Sequence, residues 1–273
     1  MSQIEAAKTG RPRVLVVANQ KGGVGKTTTA INLGTALAAV GAPTLVVDID
    51  PQGNASTGLG IPRSERRLTT YDVLMGQARL ADAIMPTRIP GLSLVASTVD
   101  LSGAELEMID MERRNYRLKD AIAQYSVHGS SQFSYVLIDC PPSLTLLTVN
   151  AMVAADAVVV PLQCEFFALE GLSQLLKTID LVRANLNPAL EIQGIVLTMF
   201  DKRNKLSDQV AADVRENMGE KVYSTVIPRN VRISEAPSHG LPALVYDLKC
   251  PGSQAYIKLA GELIQRERLR VAA

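Results

Sequence analysis

Residues 14–28 read VLVVANQKGGVGKTT, and this stretch decides the fold. Val14–Ala18 is apolar without alternation, as a strand buried on both faces is. Glycines 22, 23 and 25 follow at once. A helix-length segment then runs from about Thr27 to Val40, stopped by Gly41 and Pro43. A strand, a glycine-rich turn and a helix in that order make a phosphate-binding loop, because glycine lets the backbone approach a phosphate chain and turn its N–H groups inward. The spacing G-x-x-x-x-G-K-[ST] is kept, except that Lys21 stands at its first glycine. Gly22, Gly23, Val24, Gly25 and Thr28 complete the cradle. Lys26 is placed to reach the β- and γ-phosphates, the Thr27 hydroxyl to ligate Mg²⁺, and the helix N-terminus adds partial positive charge.

Outward from this loop, β-branched runs alternate with helix-length segments, the pattern of a parallel sheet covered by helices. Leu45–Ile49 reads as the second strand, and further runs lie at Leu92–Ala96, Tyr135–Ile138, Ala157–Val160, Ile192–Met199 and Val222–Ile227. Glu170–Ala184 and Ser207–Met218 read as helices. No repeat or Ser/Gly-rich linker divides the chain. The expected architecture is α/β: a single-domain P-loop NTPase over residues 13–273, with a mostly parallel twisted sheet covered by helices on both faces, behind a flexible tail at residues 1–12. Gly53–Asp72, with Gly58, Gly60, Pro62, Arg63, Arg66 and Arg67, reads as a mobile loop or a short accessory helix. Residues 105–119 run from acidic to basic and read as a solvated helix whose charges complement its dipole.

A phosphate loop needs a carboxylate near its metal at the end of a neighbouring strand. Tyr135-Val-Leu-Ile-Asp139 supplies one, with Cys140-Pro-Pro ending the strand, so Asp139 is expected to hold Mg²⁺ through water. Asp48 and Asp50 of Asp48-Ile-Asp-Pro-Gln-Gly-Asn54 point the same way in an extended chain. They face the crevice at the carboxyl ends of the strands, where ligands bind in open α/β sheets. Asp50 is the candidate for positioning the attacking water; Asp48 is a structural or metal-shell residue.

The chain has 273 residues, 47% hydrophobic and 20% charged, which excludes global disorder and fits one large domain. Lys and Arg number 28 against 27 Asp and Glu, a net charge of +1, which excludes a strongly basic nucleic-acid-coating protein but not a local basic patch. Residues 199–273 carry 12 basic and 9 acidic groups, so the excess lies at the C-terminal end. Aromatics are 4% and Trp is absent, which argues against stacking platforms for bases. Cys140, Cys164 and Cys250 show no metal or disulfide spacing, and no apolar leader or membrane-spanning run appears, so a cytoplasmic location is expected.

KGGVGKTTT (21–29), DIDPQGN (48–54), VLIDCPPS (136–143) and VIPRNVRISEAPSHG (226–240), collinear over nearly the whole chain, resemble the ParA (Soj-like) chromosome-partition ATPases. These belong to the deviant-Walker P-loop class that also includes the MinD septum-site ATPases. The resemblance implies an ATP- and Mg²⁺-dependent homodimer in which Lys21 contacts phosphates bound to the opposite subunit, with weak intrinsic hydrolysis. Lys21, Lys26 and Asp50 are then catalytic. Gly23 to Thr28 hold the nucleotide, Thr27 and Asp139 serve the metal, and Pro228 and Asn230 flank the adenine.

The resemblance also implies non-specific DNA binding by the ATP-bound dimer, hence nucleoid association, and stimulation by a ParB-type centromere-binding partner. Lys202, Arg203 and Arg232 are the expected DNA contacts; Lys205 and Arg229 lie nearby. Phosphate contacts of this kind give affinity without base reading. Only 13 residues precede the first strand, so sequence-specific autorepression by the N-terminal helix-turn-helix domain of some relatives is not expected. A MinD-like membrane-cycling ATPase is the alternative. It requires Ala255–Arg270, with Tyr256, Ile257, Leu259, Ala260, Leu263 and Ile264 at helical spacing, to face lipid rather than core. An iron–sulfur protein resembling nitrogenase iron protein lacks cluster-spaced cysteines, and a small-metabolite kinase lacks an acceptor-site motif.

Overall fold

The computed structural model describes residues 11–127 and 132–272. The strands are β1 (Arg13–Val17), β2 (Thr44–Asp48), β3 (Ile84–Pro86), β4 (Leu92–Val95), β5 (Tyr135–Asp139), β6 (Ala157–Gln163), β7 (Glu191–Phe200) and β8 (Val222–Pro228). The helices are α1 (Lys26–Ala39), α2 (Asn54–Gly58), α3 (Thr70–Met75), α4 (Leu80–Ala83), α5 (Leu101–Glu107), α6 (Arg117–Val127), α7 (Leu146–Ala154), α8 (Ala168–Asn185), α9 (Lys205–Met218), α10 (Val231–Glu235), α11 (Ala243–Tyr246) and α12 (Pro251–Ala272). The strands form one 8-stranded sheet in the order β3-β4-β2-β5-β1-β6-β7-β8. Only the short β3 runs antiparallel to its neighbour.

Each central strand has a core on both faces, which is why the apolar runs lack alternation. Val14 and Val16 of β1 join the layer formed with α6, α7 and α8, whereas Leu15 and Val17 join the layer formed with α1 and α12. The stripe on α12 belongs to that second core: Tyr256, Leu259, Ala260 and Leu263 are buried, and Ile257 and Ile264 pack against it. Burying side chains of this size contributes about 1.5–3 kcal/mol each, so α12 is held as a core helix. No described helix is long and apolar enough to cross a membrane.

One local expectation differs from the fold, and a second resolves between its two alternatives. Residues 105–119 are not one helix. Helix α5 ends at Glu107, a 3-10 turn covers Met108–Asp110, and α6 begins at Arg117. The break is fixed from outside the segment. Asn150 on α7 donates to the Arg114 carbonyl at 2.8 Å and accepts from the Leu118 N–H at 3.3 Å. Gly53–Asp72 follows the accessory-helix reading rather than the mobile-loop one. It holds α2 and the start of α3 around Arg66, whose guanidinium is buried and donates to Ile61 O, Ser97 O and Thr57 Oγ1. Residues 1–10 of the expected tail lie outside the described residues; Arg11 already pairs with Asp156 at 2.6 Å.

Candidate nucleotide site

Helix α1, following β1, packs on one face of the sheet, and α7, connecting β5 to β6, packs on the other. The chain therefore leaves β1 and β5 in opposite directions, and the resulting crevice lies at their carboxyl ends. Register aligns the site's floor: Val17 of β1 and Asp48 of β2 are both partners of Asp139, the last residue of β5. The glycine-rich loop begins just beyond Val17.

That loop is shaped by backbone conformation and by distant polar groups. Gly23 and Gly25 have φ of 74° and 90°, the left-handed region, where a β-carbon is strained. Gly25 caps α1, and a β-carbon at Gly22 or Gly23 would meet only open space, so the concave side of the loop is free. Asn19 spans the loop's base, accepting from the Lys21 N–H at 3.0 Å and donating to Pro161 O at 2.8 Å. Thr198 of β7 donates to Val24 O at 2.8 Å. Motif spacing did not single out Asn19 or Thr198, because Asn19 ties the loop to Pro161 of β6 and Thr198 reaches the loop from β7, contacts far apart in sequence.

Both lysines have protein partners. Lys26 is buried and its ammonium donates to Lys21 O at 2.8 Å. Burial lowers its pKa, while Asp139 and Asp50 pull it back up. The Lys21 ammonium is ion-paired with Glu165, which follows β6. Glu165 was missed in the sequence; it is the first charged group after a strand ending in this crevice.

The three aspartates divide in role. Asp48 accepts from Ser56 N, Ser56 Oγ and Asp50 N at 2.8, 2.7 and 3.2 Å, so it anchors α2 to the sheet end. Between the two roles open for it, this geometry supports the structural one. Asp50 is nearly buried and accepts from Gln52 N at 2.9 Å. Asp139 is fully buried, and among the described residues neither carboxylate oxygen has a hydrogen-bond partner of normal geometry, although the Thr27 hydroxyl lies close enough to favour its charged form. Burial, and then the neighbouring Asp48 charge, push its pKa well above the ordinary value. The Thr27 hydroxyl and Lys26 oppose this only partly. An orphaned buried carboxylate is costly unless something of opposite charge meets it.

A family model described as an AAA domain matches residues 12–192. The chain is 66% identical over 260 residues to the chromosome partitioning protein ParA of Caulobacter vibrioides, covering 95% of this chain and 97% of that one. It is 49% identical over 251 residues to the sporulation initiation inhibitor protein Soj of Bacillus subtilis, covering 92% and 98%. The chain belongs to the ParA/Soj family of chromosome-partitioning ATPases. Among solved structures, cobyrinic acid a,c-diamide synthase from Mycobacterium smegmatis with bound ATP analog and magnesium matches with a TM-score of 0.82. That protein is 37% identical, and the match covers 94% of this chain and 96% of that one.

Within this ParA/Soj chain the remaining candidate residues fall in two places. Pro228 ends β8, and Asn230 precedes α10 with its Oδ1 buried and without a hydrogen-bond partner among the described residues. Lys202 and Arg203 lie in the turn after β7, exposed. Arg203 makes a two-pronged pair with Asp201, at 3.0 and 2.9 Å. Arg232, on α10, is apart from them in sequence and paired with Glu235 at 3.0 Å and Asp247 at 3.6 Å. Two of the three expected DNA contacts are therefore already engaged by carboxylates. The three cysteines are free, buried thiols in separate connections: Cys140 just past β5, Cys164 just past β6 and Cys250 just before α12.

Proposed function

We propose that this chain is a nucleotide-switched partition ATPase. It binds ATP with Mg²⁺, pairs with a second copy in that state, binds DNA without sequence preference as the dimer, and hydrolyses ATP when a ParB-type centromere-binding partner stimulates it. The observation that carries the nucleotide half is Asp139. A buried, unpartnered carboxylate beside the Thr27 hydroxyl, at the foot of an open glycine cradle, is a donor set suited to a hard divalent cation. The bound ATP analog and magnesium of the Mycobacterium smegmatis relative support the same reading.

Mg²⁺, when bound, supplies positive charge to the phosphate oxygens. The chain's own residues do the rest. Gly22 to Thr28 direct N–H groups at the phosphates, and Lys26 gives up its bond to Lys21 O to meet them. Asp50, at the strand-end edge, orients the attacking water. Asn230 offers its unpaired acceptor to the exocyclic amine of the base, with Pro228 as an apolar wall. Lys21 leaves Glu165 for phosphates held by the second copy, which ties turnover to pairing.

The DNA half rests on family membership and on the basic excess after residue 198. Near-neutrality of the single chain makes attraction depend on pairing, and so on the nucleotide. The membrane-cycling alternative needs the apolar stripe of α12, which is committed to the core. The test is ATPase and DNA-binding measurement at two salt concentrations with ATP, ADP and a non-hydrolysable analogue. Retention of DNA only with ATP or the analogue is expected; strong nucleotide-independent binding would sink the switch.

A further inference from the structure

Lys21 is held at three points. Its N–H donates to Asn19 Oδ1 at 3.0 Å, its carbonyl accepts from the Lys26 ammonium at 2.8 Å, and its own ammonium is ion-paired with Glu165. Glu165 is fixed in turn at the start of α8. Its N–H donates to Gln163 O at 2.9 Å, and its carbonyl accepts at 2.9 Å from the N–H of Ala168, the first residue of that helix. One residue before Lys21, Gln20 donates to Thr178 Oγ1 of α8 at 2.7 Å. The phosphate loop and α8 are therefore tied twice.

The three holds differ in what a nucleotide can break. Phosphates bound in the same copy compete for Lys26 and so free the Lys21 carbonyl. They leave the Lys21 ammonium on Glu165, because the target of that ammonium lies in the second copy. The Glu165 carboxylate has no other hydrogen bond or ion pair among the described residues, so Lys21 is its counter-charge. The two side chains are 40% and 35% exposed, which leaves the pair open to a competing anion.

We propose that Glu165 is a positioning residue that latches Lys21 onto its own copy, and so sets the concentration at which two copies pair and turn over ATP. The inference rests on the reading that Lys21 serves phosphates held by the second copy. An ion pair this exposed is a weak restraint, of about threefold in the pairing equilibrium for each lysine released. Pairing releases two lysines, so the factors multiply to about tenfold. Only phosphates across the interface replace the carboxylate that each lysine gives up. Copies without nucleotide therefore stay apart.

The experiment measures pairing of the full chain by analytical ultracentrifugation with Mg²⁺ and a non-hydrolysable ATP analogue, and basal ATPase over a protein-concentration series. Glu165→Gln keeps the shape and removes the charge. It is expected to pair at about tenfold lower concentration than wild type, with half-maximal turnover shifted to match. Glu165→Asp restores the charge on a shorter stem and is expected to fall between the two. Affinity for a fluorescent ATP analogue, measured below the pairing concentration, should stay close to wild type.

In a Lys21→Ala background the same Gln substitution should change pairing by less than about twofold. Simple repulsion between Glu165 and the phosphates, or a role in shaping α8, would act with or without Lys21. Equal tightening in both backgrounds would therefore overturn the latch. Unchanged or weaker pairing in Glu165→Gln, with turnover lost in Lys21→Ala, would overturn the latch alone. Wild-type pairing and turnover in Lys21→Ala would overturn the crossing lysine and the latch together.

Discussion

The ammonium of Lys26 donates a hydrogen bond to the backbone carbonyl of Lys21 at 2.8 Å, inside the loop both residues define. Without phosphates the buried cation thus satisfies itself on the loop's own backbone, while the Lys21 side chain reaches the other way to Glu165. The two lysines of the motif are set for different targets.

Substitution should separate them. Lys26→Ala removes a buried charged donor to the phosphates, and such bonds contribute about 1.5–3 kcal/mol, so ATP affinity by titration calorimetry should fall about 10- to 100-fold. Lys21→Ala should bind ATP at close to wild-type affinity but lose normal turnover. Equal loss of ATP affinity in both variants would contradict the division.

Asp50 accepts from Gln52 N–H through one oxygen and has no part in anchoring α2, which Asp48 does. Asp50→Ala should therefore fold, bind ATP and pair with a second copy. Its hydrolysis should drop about 100-fold or more, the scale of a lost water-positioning base. Wild-type turnover in this variant would remove Asp50 from the chemistry.

Asp139 makes a pH-dependent prediction. Its folded-state pKa is raised well above the ordinary 3.8, chiefly by burial. Between those two values the folded chain keeps a proton that the unfolded chain releases. Asp139 therefore favours folding below its unfolded pKa, and that contribution is lost as pH rises toward the folded one. Asp139→Asn should accordingly raise the Tm of the nucleotide-free protein at pH 7 by a few degrees, on the order of 1–3 kcal/mol. The gain should shrink toward pH 4, and Mg²⁺-dependent nucleotide binding should weaken. A variant less stable than wild type at pH 7 would show that the orphaned carboxylate is not a burden.

The strands and α1 were legible because each writes its burial locally: Val14–Ala18, Leu45–Val47 and Tyr135–Ile138 are apolar on both faces, and glycines mark the loop between β1 and α1. Asp139 was legible because it is the carboxylate at a strand end next to a Pro-Pro stop. The Lys21–Glu165 pair was not, since 144 positions separate partners that only the order β1-β6 brings together. The graded charges of 105–119 misled for a related reason. They describe a plausible helix dipole, but Asn150 of α7 decides where the chain turns. Arg66 looked like one of three loop arginines, and nothing near it in sequence reveals that one of its acceptors, Ser97 O, follows β4.

Arg66 yields the last prediction. Its buried guanidinium donates to three different residues and ties α2, the turn at Ile61 and the segment after β4 into one unit beside Asp48 and Asp50. Gly53 lies against it: a β-carbon there would sit 2.5 Å from Arg66 Nη1 and 2.9 Å from Ser97 O, at a φ of +64°. Arg66→Ala strands buried carbonyls and should cost about 3 kcal/mol or more in urea unfolding. Gly53→Ala adds backbone strain to the clash and should cost about 1–3 kcal/mol. Because the same arginine fixes the segment carrying Asp50, both variants should lose ATP turnover by a larger factor than ATP affinity. Surface substitution of the exposed neighbour Arg67→Ala should leave stability within about 0.5 kcal/mol of wild type. If Arg66→Ala were as stable as Arg67→Ala, the guanidinium would not hold this segment, and the positioning of Asp50 would have to come from Asp48 and Ser56 alone.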